Sequence, residues 1–568
     1  MNRRLRLALA LAMAAQWLLV VGAVYRMSYD AYVHMFFADH YRRNWWPLWE
    51  PRWYGGFSVA SYPPLVHQLI ALLAFPLGIE LAWAVVLWLV LAAMPGGVYA
   101  FARIFVGSRA AGYAAIASTV LPSIYLAAHT FGQLPTLAGL LAALWGLAAL
   151  NAYLRRGRLI DFVLAVALMA VVAATHHATL LFVPFGVLAV GMQAALTSRR
   201  AWPRCLLRLA LFGSAALAAI AVAIWPFWEW GLGQTMQTPI DHPTRHNLLS
   251  DVSAQGLFFW AVYGPLVLVV PWAVRMSLRR KRLAPGMLFG VMFTLGLGGT
   301  TPLPGWLFGP GWAWLTYDRF ALWASVALMP FVGLAAIAAR RALRRLAAHA
   351  WPGAARAAPL LVLAIAAFIS ALLATLVPMQ PAALDMQPIV AFLSEGDRAQ
   401  WRYLTFGFGD QLARLSMLTE ATTIDGSYHT ARELPELRAS GIGQIDTAYW
   451  LPGGLQALDP ILARAGARGV RWGFVNWRAY ARVLARHGWV RLIRLANGVD
   501  VWENPAALRP PPDGRAARAN RLDGVWWGTL PLAALAITVG LTGVRKRLDR
   551  SGFSRIGTAA KQSGRRLS

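Results

Sequence analysis

Apolar runs of about 18 to 25 residues, the length a helix needs to cross a bilayer, recur along this chain and leave a soluble fold no room. Twelve are legible, at approximately 5–25, 80–102, 110–127, 134–153, 160–175, 178–197, 206–227, 255–274, 284–299, 320–339, 357–378 and 525–544. The composition agrees: 58% of the 568 residues are hydrophobic and only 14% are charged, proportions of a polytopic membrane protein. The sequence therefore predicts an all-α polytopic membrane protein with about twelve transmembrane helices.

A formal charge of +29 would point to nucleic acid if it covered a soluble surface. Its placement argues otherwise. More than half of the 53 Lys and Arg fall in short segments at alternate ends of the runs and in the tail from Arg545, where Asp161 and Asp549 are the only nearby acids. That is the positive-inside pattern. It predicts an even number of spans with both termini cytoplasmic, no nucleic-acid partner, and a basic tail held against anionic lipid. A bacterial inner membrane is the expected location. The first run stays apolar through Val24 without a small-x-small exit, so it reads as an uncleaved signal anchor. Cys205 is the only cysteine, which excludes disulfides and multi-cysteine metal sites.

Two long segments, 26–79 and 379–524, break the helical pattern on the outer side. The expected organisation is a membrane domain over 1–378, an extracytoplasmic α/β domain over 379–524, and a last span with a basic tail over 525–568. Within the second segment, strand-like runs at Arg402–Phe406, Val470–Val475 and Gly498–Glu503 alternate with helical patterns at Asp459–Ala467 and Trp477–His487. The linker "RPPPDGRAARANR" leads back to the last span.

The predicted spans carry no charged residue in their middle thirds, which weighs against a secondary transporter. Functional groups collect instead in the outer loops, which hold ten of the eleven histidines. The first loop offers Asp30, His34, Asp39, His40, Glu50, Arg52 and His67. Later loops offer His129 and Gln133 in "AAHTFGQLP", His176 and His177, the group Asp241, His242, Arg245 and His246 in "PIDHPTRH", and Asp318-Arg319 in "LTYDRF". For any single later histidine, simple preference for the membrane interface is the plainer explanation.

The first loop is more specific. Asp30 and His34 share one face if 29–42 is helical, at the point where the first span ends. A carboxylate at such a partly dry edge serves as a general base or, with the imidazole, as a metal ligand; helix capping is the structural alternative. Trp45, Trp46, Trp49 and Trp53 form an aromatic belt suited to headgroup anchoring or to stacking on sugars. Tyr62-Pro63-Pro64 restricts the backbone and starts an interfacial helix at 65–77.

An aspartate at the outer end of the first span, a large outer loop with "PLWEPRWYGG", and "YPPL" before an interfacial helix resemble the GT-C class of glycosyltransferases, which use polyprenyl-phosphate sugar donors. More narrowly, D-x-x-x-H at Asp30 and His34, P-L-W-x-P-R-W-Y-x-G, Y-P-P-L, "GQLP" and "YDRF" resemble a bacterial group labelled 6-pyruvoyl-tetrahydropterin synthase-related membrane proteins. Nothing in the chain looks like a soluble pterin enzyme. The resemblance covers the membrane half and, loosely, the outer domain.

It implies that a donor phosphate meets Arg319, with Arg52 and Arg245 behind it, and that Asp30, with His34 beside it, deprotonates an acceptor hydroxyl. Asp39, Tyr62, His129, Gln133, Asp241, His242 and Asp318 complete the expected substrate pocket. No cofactor is required, and a divalent metal held by Asp30, His34 and Asp241 is compatible with this set. The chain lacks the Asp-Glu pair of protein mannosyltransferases and the WWD-type signature of oligosaccharyltransferases, so a glycan or lipid acceptor, rather than a peptide, is implied. A non-catalytic or flippase-like component of surface-polysaccharide export, and a membrane-anchored scaffold, are the alternatives.

Overall fold

The computed structural model describes residues 2–197, 202–349, 352–376, 379–510 and 521–564. Among them, eight helices are long and apolar enough to cross a membrane: Arg3–Val21, Ile79–Phe105, Leu134–Arg156, His177–Thr197, Trp202–Ala223, Val252–Ser277, Asp318–Arg345 and Arg521–Asp549. A ninth is made by Ser108–Ser118 and Pro122–Thr130 if that pair, bent by 45°, is one span. Pro122 has no N–H to offer the carbonyl four residues back, and the helix breaks there.

The sequence predicts twelve spans, and helices do occupy the remaining positions. Leu159–Thr175 has 17 residues and Leu283–Gly296 has 14, however, and both fall short of the roughly 20 that a perpendicular crossing needs. The run expected at 357–378 and the linker after Arg509 lie partly outside the described residues.

Small residues let the helices approach closely, as membrane packing requires. A Cβ on Gly296 would meet the Ala321 backbone at 2.8 Å, and one on Gly333 would strike the Ala110 carbonyl. The fully buried Asp161 is compensated by Arg158 at 3.0 Å and Arg545 at 2.9 Å, which ties the last helix to Leu159–Thr175. Inside the bundle His129, expected in an outer loop, lies in the last turn before Phe131 and faces Gln16 at 2.8 Å. One ring nitrogen of His129 is thus paired between helices, while its Nδ1 has no partner among the described residues.

Among the described residues, six strands form two sheets. The strands β1 (Trp49–Glu50) and β2 (Phe57–Ser58) make an antiparallel hairpin. The strands β3 (Arg402–Phe406), β4 (Val470–Val475), β5 (Val490–Arg494) and β6 (Asp500–Glu503) make a sheet of order β3-β4-β6-β5, parallel between β3 and β4 and antiparallel elsewhere. Strand β5 was not legible in the sequence. All five of its side chains are exposed, so the buried alternation that marks a strand is missing.

The hairpin carries the "PLWEPRWYGG" motif and docks on the larger sheet's flank. The Thr423 N–H donates to the Arg52 carbonyl at 2.9 Å, and the Gly55 N–H donates to the Thr423 carbonyl at 3.2 Å. Trp53 is fully buried, stacks on Phe36 with centroids 3.7 Å apart and donates to Ser416 Oγ at 2.9 Å. Arg52 lies beneath, bidentate on Glu50 at 2.7 Å and bonded to Asp39 at 2.6 Å.

Candidate active site

Asp30 immediately precedes the helix Ala31–Arg43 and is fixed from behind by a second chain segment. The Tyr29 and Asp30 N–H groups donate to the carbonyls of Thr130 and Phe131 at 2.9 and 3.0 Å. This contact needs Gly132, whose φ is +69°. A Cβ there would meet Ser28 Oγ at 2.7 Å and the Asp30 nitrogen at 3.0 Å, so the "GQLP" glycine is dictated both by the left-handed turn and by the close approach.

The next residue of that motif reaches the opposite wall: Gln133 Nε2 donates to Asp318 Oδ2 at 3.0 Å. Asp318 and Arg319 open the helix Asp318–His349, and the Tyr317 N–H ahead of them donates to Thr244 Oγ1 at 3.2 Å. The Thr244 N–H donates to His242 Nδ1 at 3.2 Å, which leaves the proton of that imidazole on Nε2.

These segments enclose a cavity of about 610 Å³. Of the twelve residues nominated from the sequence, eight line it: Asp30, His34, Tyr62, Gln133, Asp241, His242, Asp318 and Arg319. Four do not. Asp39 and Arg52 are spent on the buried ion network under the hairpin, Arg245 turns back to the Ile240 carbonyl, and His129 pairs with Gln16.

No residue of the remaining wall was nominated from the sequence. It comes from Tyr428, His429, Gln444 and Thr447, in loops hundreds of residues beyond Asp30 in sequence. Tyr428 is held by its hydroxyl on the Ser61 carbonyl at 3.0 Å and by its N–H on Tyr54 Oη at 3.0 Å.

Among the carboxylates that line the cavity, the electrostatics single out one. Burial raises the Asp30 carboxyl to about 7, with Arg319 pulling it down and Asp318 pushing it up, so it stands as a base near neutral pH. Among the described residues, Asp30 makes no side-chain hydrogen bond to its own helix end. His34 is pushed down to about 3 by burial and then by Arg319, and is therefore neutral. Arg319 is the only arginine or lysine among the described residues lining the cavity; its Nη1 reaches Thr316, while its Nε has no partner.

No three His, Cys, Asp or Glu side chains among the described residues converge closely enough to hold a metal ion. Asp30, His34 and Asp241 share the cavity without forming a ligand set.

A second space borders a segment that also lines the first. About 460 Å³ in volume, it is walled by apolar side chains including Leu180, Val183, Val187, Phe212, Ile220 and Trp228. Leu181, the residue after Leu180, lines the main cavity, so this segment borders both spaces.

No family model and no curated protein matches the sequence, but the fold has solved counterparts. An oligosaccharyltransferase of Archaeoglobus fulgidus, tethered with an acceptor peptide containing the NVT sequon, aligns over 84% of this chain and 70% of its own at 13% identity, with a TM-score of 0.52. ArnT of Cupriavidus metallidurans bound to undecaprenyl phosphate aligns over 89% of this chain and 98% of its own at 14% identity, with a TM-score of 0.51. The fold is similar to that of these GT-C glycosyltransferases. The Archaeoglobus enzyme in complex with Zn and sulfate aligns over 85% and 69% at 13% identity, with a TM-score of 0.50. The narrower likeness to the pterin-synthase-labelled group rests on the quoted motifs alone.

Proposed function

We propose that this protein is a membrane glycosyltransferase that moves a sugar from a polyprenyl-phosphate donor to a glycan or lipid acceptor on the outer side of a bacterial inner membrane. The observation that carries this reading is the pairing of a basic carboxylate, Asp30, with Arg319, the one cavity-lining arginine among the described residues, in a space that shares a lining segment with an apolar groove. The solved relatives support it, since one was crystallised with undecaprenyl phosphate.

In this reading the prenyl chain lies in the groove bordered by Leu180 and Phe212, where burial of each CH₂ contributes about 0.8 kcal/mol. The donor phosphate meets Arg319, whose planar fork matches phosphate oxygens. Asp30 takes the proton of an acceptor hydroxyl, the hydroxyl oxygen forms its bond to the anomeric carbon, and the carbon–oxygen bond to phosphate breaks. Polyprenyl phosphate leaves with the electron pair, its charge balanced by Arg319, and the anomeric configuration inverts. His34 and Tyr62 shape the wall behind Asp30, while Gln133 orients Asp318. Because the described residues do not form a metal-ligand set, no step is routed through a metal.

Both termini are assigned to the cytoplasm from the charge pattern. The boundaries 1–378, 379–524 and 525–568 are retained as working domains, with the 379–524 segment closing the cavity over the acceptor.

The test is transfer of radiolabel from a polyprenyl-phosphate sugar to a glycan or lipid fraction by membranes containing the protein. Label that stays on the polyprenyl phosphate across the common bacterial sugars would refute the reading.

A further inference from the structure

An aspartate just before a helix ordinarily turns its carboxylate onto the N–H groups two and three residues on. Asp30 does not. At the second of those two positions, Tyr32 and Val33, Asp410 takes over, 377 residues beyond Val33: its Oδ2 accepts the Val33 N–H at 3.2 Å, and the Tyr32 N–H faces the same carboxyl.

Asp410 is itself held on every side. Its own N–H donates to Gln380 Oε1 at 2.6 Å, and Gln380 Nε2 donates to the carbonyls of Ser28 and Tyr29, each at 3.1 Å. The loop before it is anchored by Asp446, which accepts the N–H groups of Phe408 and Gly409 at 2.9 and 2.6 Å. Gln444 and Thr447, on either side of Asp446, line the cavity. Hydrogen bonds thus run from the far wall of the cavity, through Asp446 and Asp410, to the turn that carries Asp30.

We propose that Asp410 is a positioning residue: by capping the helix Ala31–Arg43 in Asp30's place, it leaves the Asp30 carboxylate free to face the cavity. The two carboxylates compete for the same two donors. Without Asp410, Asp30 swings onto the vacated N–H groups of Tyr32 and Val33, so the helix end survives while the base is withdrawn. Burial and the neighbouring Asp30 charge hold the Asp410 carboxyl well above the usual carboxylate range. An asparagine there, with its neutral amide oxygen, is therefore a close substitute.

This inference rests on the reading of Asp30 as the base, and the experiment separates the two. Hydrogen exchange at the Tyr32 and Val33 amides, followed by mass spectrometry on the full-length detergent-solubilised protein, reports the cap. Sugar transfer reports the base. Asp410→Ala is expected to keep both amides protected and to lower kcat by about a hundredfold, the scale of a misplaced catalytic group, with KM little changed. Asp410→Asn is expected to restore kcat, and Asp30→Ala combined with Asp410→Ala to exchange fast. Transfer by Asp410→Ala at the wild-type rate, or amides in that single variant as fast as in the double variant, would overturn the proposal. Wild-type transfer by Asp30→Asn would sink the base assignment, while the exchange results still decide which carboxylate caps the helix.

Discussion

His34 Nδ1 lies 3.1 Å from His67 Nε2, and the two rings stack at 27°. Both residues are buried, and His67 Nδ1 has no partner of its own. A single proton between the rings therefore decides whether His34 presents an N–H or a lone pair on its other nitrogen. Replacing His67 by Phe keeps a ring against Phe37 but strands His34 Nδ1, at a cost of about 1–3 kcal/mol. Thermal unfolding in detergent should register that loss, whereas an unchanged melting temperature would show that the pair contributes nothing.

The Asp30 carboxyl makes activity and stability move in opposite directions with pH. In the proposed mechanism transfer requires its ionised form, so the rate should rise with pH through about 7 and then level off. The folded protein binds this proton more tightly than the unfolded chain does. The resulting stabilisation is fully present below the unfolded value of about 3.9 and is lost as pH rises through about 7. Asp30→Asn never ionises, so its melting temperature should pull ahead of wild type between about pH 4 and pH 7. Parallel melting curves across that window would remove the case for a perturbed carboxylate.

Arg319 and Arg52 look alike in the sequence and should behave differently. Arg319→Ala should weaken binding of polyprenyl phosphate by about 1.5–3 kcal/mol, the scale of a charge-assisted hydrogen bond, while leaving the fold intact. Arg52→Ala leaves Glu50 and Asp39 buried without their shared partner and should cost about 3–5 kcal/mol of stability, with no selective effect on the lipid. Calorimetric titration with polyprenyl phosphate, alongside a melt of each variant, distinguishes the two. The prediction fails if Arg52→Ala folds normally and loses only lipid binding.

Gly132→Ala offers a test of placement without touching a charged group. The added Cβ must occupy a left-handed backbone and push on the Asp30 and Ala31 nitrogens, at 3.0 and 2.8 Å. The left-handed conformation alone costs about 1–2 kcal/mol, and any shift that relieves it moves Asp30. Transfer should fall further than the drop in stability explains, as read from kcat and the melting temperature together. A variant as active as wild type would show that this turn does not place Asp30.

The sequence made the membrane class legible because apolar run length and loop charge are local properties. It also made the Asp30–His34 face legible, because a spacing of four residues on a helix is local. Arg52 was harder to assign: only the neighbouring Glu50 hinted that its charge is neutralised within the hairpin, and Asp39 joins that network across 13 residues. His129 sits by a helix break that shifts it from the expected loop into the bundle. The Tyr428–Thr447 wall and Asp410 were illegible, since nothing near them in sequence records that they close on Asp30.

The most direct single measurement is label transfer from a polyprenyl-phosphate sugar by purified wild type and Asp30→Asn at pH 8, with polyprenyl-phosphate affinity measured on the same samples. Retained lipid affinity with transfer reduced by at least about a hundredfold is the result expected of a lost general base. Equal transfer by the two proteins would contradict the assignment of Asp30, and with it the mechanism built around this cavity.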